Sequence, residues 1–193
     1  MIIPEVYYYD FSGDNRGLDD LRPLLSPERY DYCAAMKNVT TALRSAYCFL
    51  LLRLVLKQKF GLDEMPSFTL NEHGKPFLHG HPDIFFNMSH SGKSVVCAVS
   101  DIPVGVDIQD IRHLSLNTGR KFLTDEETDM VTGLEPTAMD RELCRIWCIK
   151  ESYGKMTGKG FGEGFRSIDA EKLIRECRAF ITFHKGFFIS LCV

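Results

Sequence analysis

Two long stretches of helical pattern, about Thr40 to Phe60 and Thr137 to Met156, alternate with short β-rich runs, and this order limits the possible folds more than any other feature of the sequence. The first stretch stops at Gly61, whose missing Cβ permits a left-handed C-terminal turn. Before it stands Ile2 to Tyr9, rich in β-branched and aromatic residues. After it come Ser67 to Leu70 and Pro76 to Leu78 around a polar turn, then Ile84 to Met88, Ser94 to Ser100 and Val104 to Ile111. The second stretch is followed by Phe165 to Ile168, read as a strand, and by Ala179 to His184 and Phe187 to Val193, read as a hairpin turning at Lys185-Gly186. Strand, helix and strands thus occur twice. The expectation is an α+β protein of two lobes, residues 1–101 and 102–193.

Local signals place the shorter elements. Ser26-Pro27-Glu28 opens a helix that carries Arg29, with Ser26 as cap and Pro27 at the first helical position. Thr124 and Glu127 form a capping box over Asp125 to Thr132, and Pro136 starts the second long helix. The glycine-dense run Thr157 to Gly164 is too permissive for a regular element and is read as a flexible flap.

Composition removes several function classes. With 23 basic and 26 acidic residues the formal net charge is -3, so no global field draws the chain to nucleic acid or anionic lipid. The most apolar window, Tyr47 to Leu56, contains Arg53 and lies between Arg44 and Lys57, far short of the ~20 apolar residues of a membrane span. It is expected to be a buried helix. Seven cysteines, none in CxxC spacing and with no secretory leader in front, predict reduced core thiols and a cytoplasmic location. Trp147 is expected to be a core anchor.

Four segments carry the chemistry: Gly74-Lys75-Pro76, Phe86-Asn87-Met88-Ser89-His90-Ser91, Gly105-Val106-Asp107-Ile108-Gln109, and Trp147 to Lys155. Their wording, order and spacing resemble the 4'-phosphopantetheinyl transferases of the surfactin-synthetase-activating type, which show GKP, FNxSHS, GxDxE and WxxKExxxK in this succession. The resemblance covers about residues 1–165. It implies a pseudo-two-fold pair of similar α+β subdomains with the active site in the cleft between them. It further implies magnesium-dependent transfer of the phosphopantetheine arm of coenzyme A to a serine of an apo acyl or peptidyl carrier protein, with release of adenosine 3',5'-bisphosphate. By the same resemblance Glu151 binds the metal and acts as base, Asp107 anchors the metal, and Lys155 steadies the diphosphate. Arg44, Lys75, Ser89 and His90 hold the nucleotide end, and Arg29 replaces a family lysine there.

The residues read alone are compatible with these roles. Asp107 and Gln109, two apart on a strand, project to one face. At about 100° per residue Cys144, Cys148, Glu151 and Lys155 share one narrow helical stripe. Two carboxylates and an amide oxygen, completed by water and phosphate, suit a hard divalent cation. Gln109 departs from the second acid of GxDxE, so the ligand set Asp107, Glu151 and Gln109 has one charge fewer, and replacing Gln109 by Glu is expected to strengthen metal binding. Read without their companions, Glu151 and Lys155 are an ordinary i,i+4 ion pair. Ser89 and His90 are adjacent on a strand and face opposite ways, which argues against a hydrolase pair. Two other readings stay open: a non-catalytic coenzyme A or carrier-protein binder, and another magnesium-dependent phosphotransferase. A monomer is expected, since two lobes of one chain can form the cleft.

Overall fold

The computed structural model describes residues 4–159, 163–176 and 178–193. Ile2 and Ile3 of the expected first strand, the middle of the expected flap and Cys177 lie outside the described residues. The chain begins with β1 (Glu5–Asp10), the short helix α1 (Leu18–Leu21) and α2 (Pro27–Ala34). Ser26 caps α2 by accepting from the Arg29 amide, as its sequence predicts. Next comes α3 (Val39–Phe60), ended by Gly61 at φ 68°, then the small hairpin β2 (Phe68–Leu70) and β3 (Pro76–Leu78). Strands β4 (Phe85–Ser91), β5 (Ser94–Ser100) and β6 (Gly105–Asp110) follow.

After β6 the chain forms the short helix α4 (Leu116–Gly119), α5 (Asp125–Thr132) with the expected Thr124–Glu127 capping box, and α6 (Pro136–Thr157). The expected strand at Phe165 to Ile168 is absent. Glu163–Ser167 is a 3₁₀ turn and α7 (Ala170–Arg175) follows it, because Phe165 and Ala170 are buried in the core beneath α6 and are not paired to a sheet edge. The closing hairpin is β7 (Ala179–His184) and β8 (Phe187–Cys192), with Lys185 at φ 49° and Gly186 at φ 88°. Two successive left-handed residues give the tight turn that matches strand twist.

Two three-stranded antiparallel sheets result, in the orders β1-β5-β4 and β6-β8-β7. Helix α3 lies on the first sheet, where Leu52, Val55, Phe49, Val95, Cys97 and Val99 form one core. Helix α6 lies on the second, where Leu143, Ile146, Ile149 and Cys192 form another. A third apolar cluster joins the sheets through Val96, Ala98, Val106, Ile108 and Ile189. Strand alternation explains how β5 serves two clusters: Val95 and Cys97 face α3 while Val96 and Ala98 face the other sheet. On β6 the even residues Val106 and Ile108 enter the shared cluster, and Gly105, Asp107 and Gln109 take the opposite face, toward α6.

The two sheets also meet along a seam between β4 and β6 that is bridged by side chains. Asn87 Oδ1 accepts from the Val106 amide at 2.9 Å, Ser89 Oγ donates to Asp107 Oδ1 at 2.7 Å, and Ser91 Oγ donates to Asp110 Oδ1 at 2.6 Å. The Asp110 amide in turn donates to Ser91 Oγ at 3.2 Å. Three alternate residues of β4 therefore do what a backbone ladder does elsewhere. Each satisfies a polar group whose burial without a partner costs about 1–3 kcal/mol.

Candidate active site

The seam brings a carboxylate under the end of α6. Gly105 makes this approach possible: a Cβ built on it would stand 2.0 Å from the Ser152 carbonyl oxygen and 2.4 Å from the Met156 nitrogen. Only glycine lets β6 lie against α6 at this distance. Two residues on, Asp107 is 5% exposed and directs Oδ1 to the Lys155 ammonium at 2.6 Å and to Ser89 Oγ at 2.7 Å. Lys155 also donates to Ser89 Oγ at 2.9 Å, which closes a triangle of ammonium, carboxylate and hydroxyl. Burial works against the ammonium, but Asp107 and Glu151 outweigh it and hold the Lys155 pKa above the usual lysine value.

Glu151 stands one turn before Lys155 and is half-buried. Desolvation pushes its pKa above the ordinary glutamate value; Lys155 pulls it down and Asp107 pushes it up further. A carboxylate with raised proton affinity next to a buried cation can accept a proton or hold a metal. The hydrogen bonds from Ser89 and Lys155 both fall on Oδ1 of Asp107. Gln109, 7% exposed, donates Nε2 to the Asp110 carbonyl and carboxylate, each at 3.0 Å. Among the described residues no group of three or more His, Cys, Asp or Glu gathers as a metal site. Two acids and an amide are what β6 and α6 offer, an all-oxygen set that fits a hard cation keeping several waters.

The nucleotide-end candidates divide. His90 follows Ser89 on β4, and its pKa is lowered by desolvation and by the charge of Arg44 beside it, with Lys155 contributing in the same direction. Arg44 reaches across from α3 to donate Nε to the Gly92 carbonyl at 2.6 Å, leaving its outer nitrogens beside His90. Arg44, Ser89, His90, Asp107, Glu151 and Lys155 thus form one neighbourhood. Arg29 is engaged elsewhere: Nη2 donates to Ser45 Oγ and to the Ser45 carbonyl, each at 2.7 Å, and the guanidinium lies over Tyr32 and Phe49. Lys75 donates to the Met156 carbonyl at 2.8 Å at the end of α6, and desolvation lowers its pKa. Its ammonium caps the helix that carries Lys155.

Cys144 and Cys148 line the inner part of the same α6 stripe and are fully buried, Cys148 against the carbonyls of Asp107 and Phe188. Trp147 packs edge-on to Phe122 with ring centroids 4.9 Å apart, the anchoring role its sequence predicts. A separate, largely apolar groove of about 400 Å³ opens between β1 and β7–β8, lined by Tyr8, Phe180, His184 and Leu191 among others. It contains none of the residues singled out from the sequence.

Read from sequence, Asn87 and Ser91 have no role of their own within their motif, and Asp110 is not singled out. For the β4 pair the signal is the period of two: Asn87, Ser89 and Ser91 place three polar side chains on one strand face, opposite Phe86, Met88 and His90. On a strand that faces another sheet, such a stripe needs polar partners.

Comparison with known proteins agrees with the geometry. Residues 103–190 match the family model described as the 4'-phosphopantetheinyl transferase superfamily, a span that contains Asp107, Glu151 and Lys155. A 4'-phosphopantetheinyl transferase of Bacillus subtilis is 31% identical over 143 residues, covering 74% of this chain and 64% of the relative. The 4'-phosphopantetheinyl transferase gsp of Aneurinibacillus migulanus is 36% identical over 137 residues, covering 70% and 57%. The psf-1 transferase of Bacillus pumilus is 29% identical over 162 residues, covering 83% and 70%. The chain spans a little under two thirds of the length of the two Bacillus subtilis relatives it matches, at 64% and 61%. With four motifs in order, Asp107 and Lys155 joined at one seam and this set of relatives, the chain is similar to the 4'-phosphopantetheinyl transferases over most of its length.

Proposed function

We propose that the protein transfers the 4'-phosphopantetheine arm of coenzyme A to a serine hydroxyl of an apo acyl or peptidyl carrier protein, releasing adenosine 3',5'-bisphosphate. The observation that carries this reading is the Ser89–Asp107–Lys155 triangle with Glu151 one helical turn away. Phosphoryl transfer asks for an anchored diphosphate, a proton acceptor for the attacking hydroxyl and compensation of negative charge on the leaving group. Lys155, fixed by two contacts, places a localised positive charge where a diphosphate oxygen can take its remaining N–H. Glu151 accepts the serine proton, a role favoured by the desolvation that raises its proton affinity. Asp107 and Glu151, with Gln109 as the neutral third oxygen, hold magnesium, which when bound supplies positive charge to the phosphate oxygens. Arg44 and His90 take the 3'-phosphate end of coenzyme A, joined by Lys75 and Arg29 once these exchange carbonyl partners for phosphate.

The active cleft in this reading lies between lobes 1–101 and 102–193, supported by separate cores on either side of the β4–β6 seam. The protein acts as a cytoplasmic monomer on a soluble carrier, with neither nucleic acid nor membrane as partner. The test is mass spectrometry of an apo carrier protein incubated with the protein, coenzyme A and magnesium. The expected result is a gain of one phosphopantetheine arm, lowered by about 10²–10⁴-fold in Glu151→Gln. Coenzyme A binding without any mass gain across a panel of carriers would overturn transfer in favour of a non-catalytic binder. A gain of a different group would mark another phosphotransferase.

A further inference from the structure

Gln109 stands where the resembling family has an acid, and the structure holds its carboxamide in an unusual way. Nε2 lies 3.0 Å from both the carbonyl oxygen and Oδ1 of Asp110, the very next residue. Both atoms are acceptors, so the amide end that faces them must be the NH₂ group; a carbonyl there would meet two oxygens. Asp110 is itself fixed by Ser91, which receives from the Asp110 amide at 3.2 Å and donates to its carboxylate at 2.6 Å. Because Ser91 belongs to β4 and Asp110 to β6, the restraint spans the seam.

We infer that Ser91 and Asp110 are positioning residues that lock the Gln109 carboxamide with its nitrogen on Asp110 and its oxygen turned away from it. The residue at 109 therefore offers an oxygen on the side of β6 that it shares with Asp107. That this oxygen faces a metal rests on the function proposed above; the lock itself does not. Gln and Asp at 109 and 110 form a matched pair. A carboxylate at 109 would set two anionic groups about 3 Å apart at a position that is 7% exposed. In the metal-free protein the charge added by Gln109→Glu is set against the Asp110 carboxylate and costs stability. The compensating change is Asp110→Asn, whose NH₂ can donate to the new carboxylate.

The test is a four-member cycle of the metal-free protein, the parent, Gln109→Glu, Asp110→Asn and the double variant, followed by thermal unfolding. Gln109→Glu should lower Tm by several degrees, and adding Asp110→Asn should recover most of that loss. Gln109→Glu unfolding at the parent's Tm, or a double variant that shows the simple sum of the two single losses, would overturn the lock. Manganese binding in the presence of coenzyme A, read by electron paramagnetic resonance, tests where the oxygen points. Ser91→Ala, which frees Asp110, should raise the half-saturating manganese concentration about tenfold, as expected for loss of a residue that orients a ligand. An unchanged midpoint would overturn the metal-facing placement of Gln109. Absence of manganese binding by the parent would overturn the metal reading of the site, and the unfolding cycle would still decide the lock.

Discussion

Helices α3 and α6 are each 22 residues long, and each ends on a glycine in the left-handed region, Gly61 at φ 68° and Gly158 at φ 70°. Their chemistry differs. Contrary to the short Tyr47 to Leu56 window read from the sequence, helix α3 as a whole is long and apolar enough, with a mean hydropathy of 1.5 over its richest window, to pass for a membrane span by length and composition, and half of that window is buried within this fold. It packs on β1-β5-β4 and sends one functional candidate, Arg44, to the seam. Helix α6 buries Lys150 and Ser152 as well as its apolar residues and brings Glu151 and Lys155 to β6. The same architecture is thus used once for packing and once to hold charge at a sheet edge. Burial alone can organise the first; the second needs a partner for every polar group it covers.

The most direct way to break this comparison is at Gly105, the residue that lets α6 come close. Gly105→Ala should cost at least about 4 kcal/mol, because the new Cβ meets backbone atoms of Ser152 and Met156 that cannot rotate aside. Urea unfolding reads the loss; a change under 1 kcal/mol would mean that α6 slides freely over β6.

Somewhat smaller is the effect expected at the charge buried on α6's other side. Lys150 is fully buried and donates to Glu127 Oε2 at 2.5 Å and to the Phe122 carbonyl at 2.7 Å, while Glu127 Oε1 accepts from the Ala170 amide. This ties α5, α6 and α7 together. Lys150→Met should destabilise by about 3 kcal/mol, since it leaves a buried carboxylate without its cation. Unfolding at the parent's midpoint would show that the pair is dispensable.

The two helix ends sharpen the comparison with the least perturbation. A Cβ at Gly61 meets nothing within 4 Å, so Gly61→Ala should cost about 1 kcal/mol, the strain of a left-handed residue. At Gly158 the same Cβ would stand 3.1 Å from Lys75 Cδ and 3.2 Å from Asn71 Nδ2. Gly158→Ala should therefore cost about 2 kcal/mol and also weaken coenzyme A binding by displacing Lys75, an effect Gly61→Ala should lack. Calorimetric titration of both variants decides it. Equal coenzyme A affinity in the two would separate the end of α6 from the site.

What could be read without coordinates followed from local rules. The limits of α3, α5 and the closing hairpin are written in Gly61, in Thr124 with Glu127, and in Lys185-Gly186, each acting on its own few residues. Strand and helix periods pair Asp107 with Gln109 and Glu151 with Lys155, and that the two pairs meet is what the family resemblance implies. Phe165 to Ile168 was misread because its burial comes from α6, a contact between distant elements that leaves no local pattern. The carbonyl partners of Lys75 and Arg29 were hidden for a similar reason: any backbone can accept from a cation, and sequence does not say which. Asp110 carries a charge type that is most often solvent-exposed, and only its partner across the seam shows otherwise.

The strand order β6-β8-β7 has a consequence for synthesis on the ribosome. Its middle strand is made last, and Asp107 pairs across the ladder with Ser190. The first sheet can close once Ser100 has emerged, because its middle strand β5 already has both neighbours. The second cannot close until residues 187–192 arrive, so during translation β6 waits without a ladder partner, its carboxylates met only by side chains of β4 and α6. A nascent chain released just short of β8 would contain all four chemical motifs and still lack the strand whose ladder holds the backbone of Asp107.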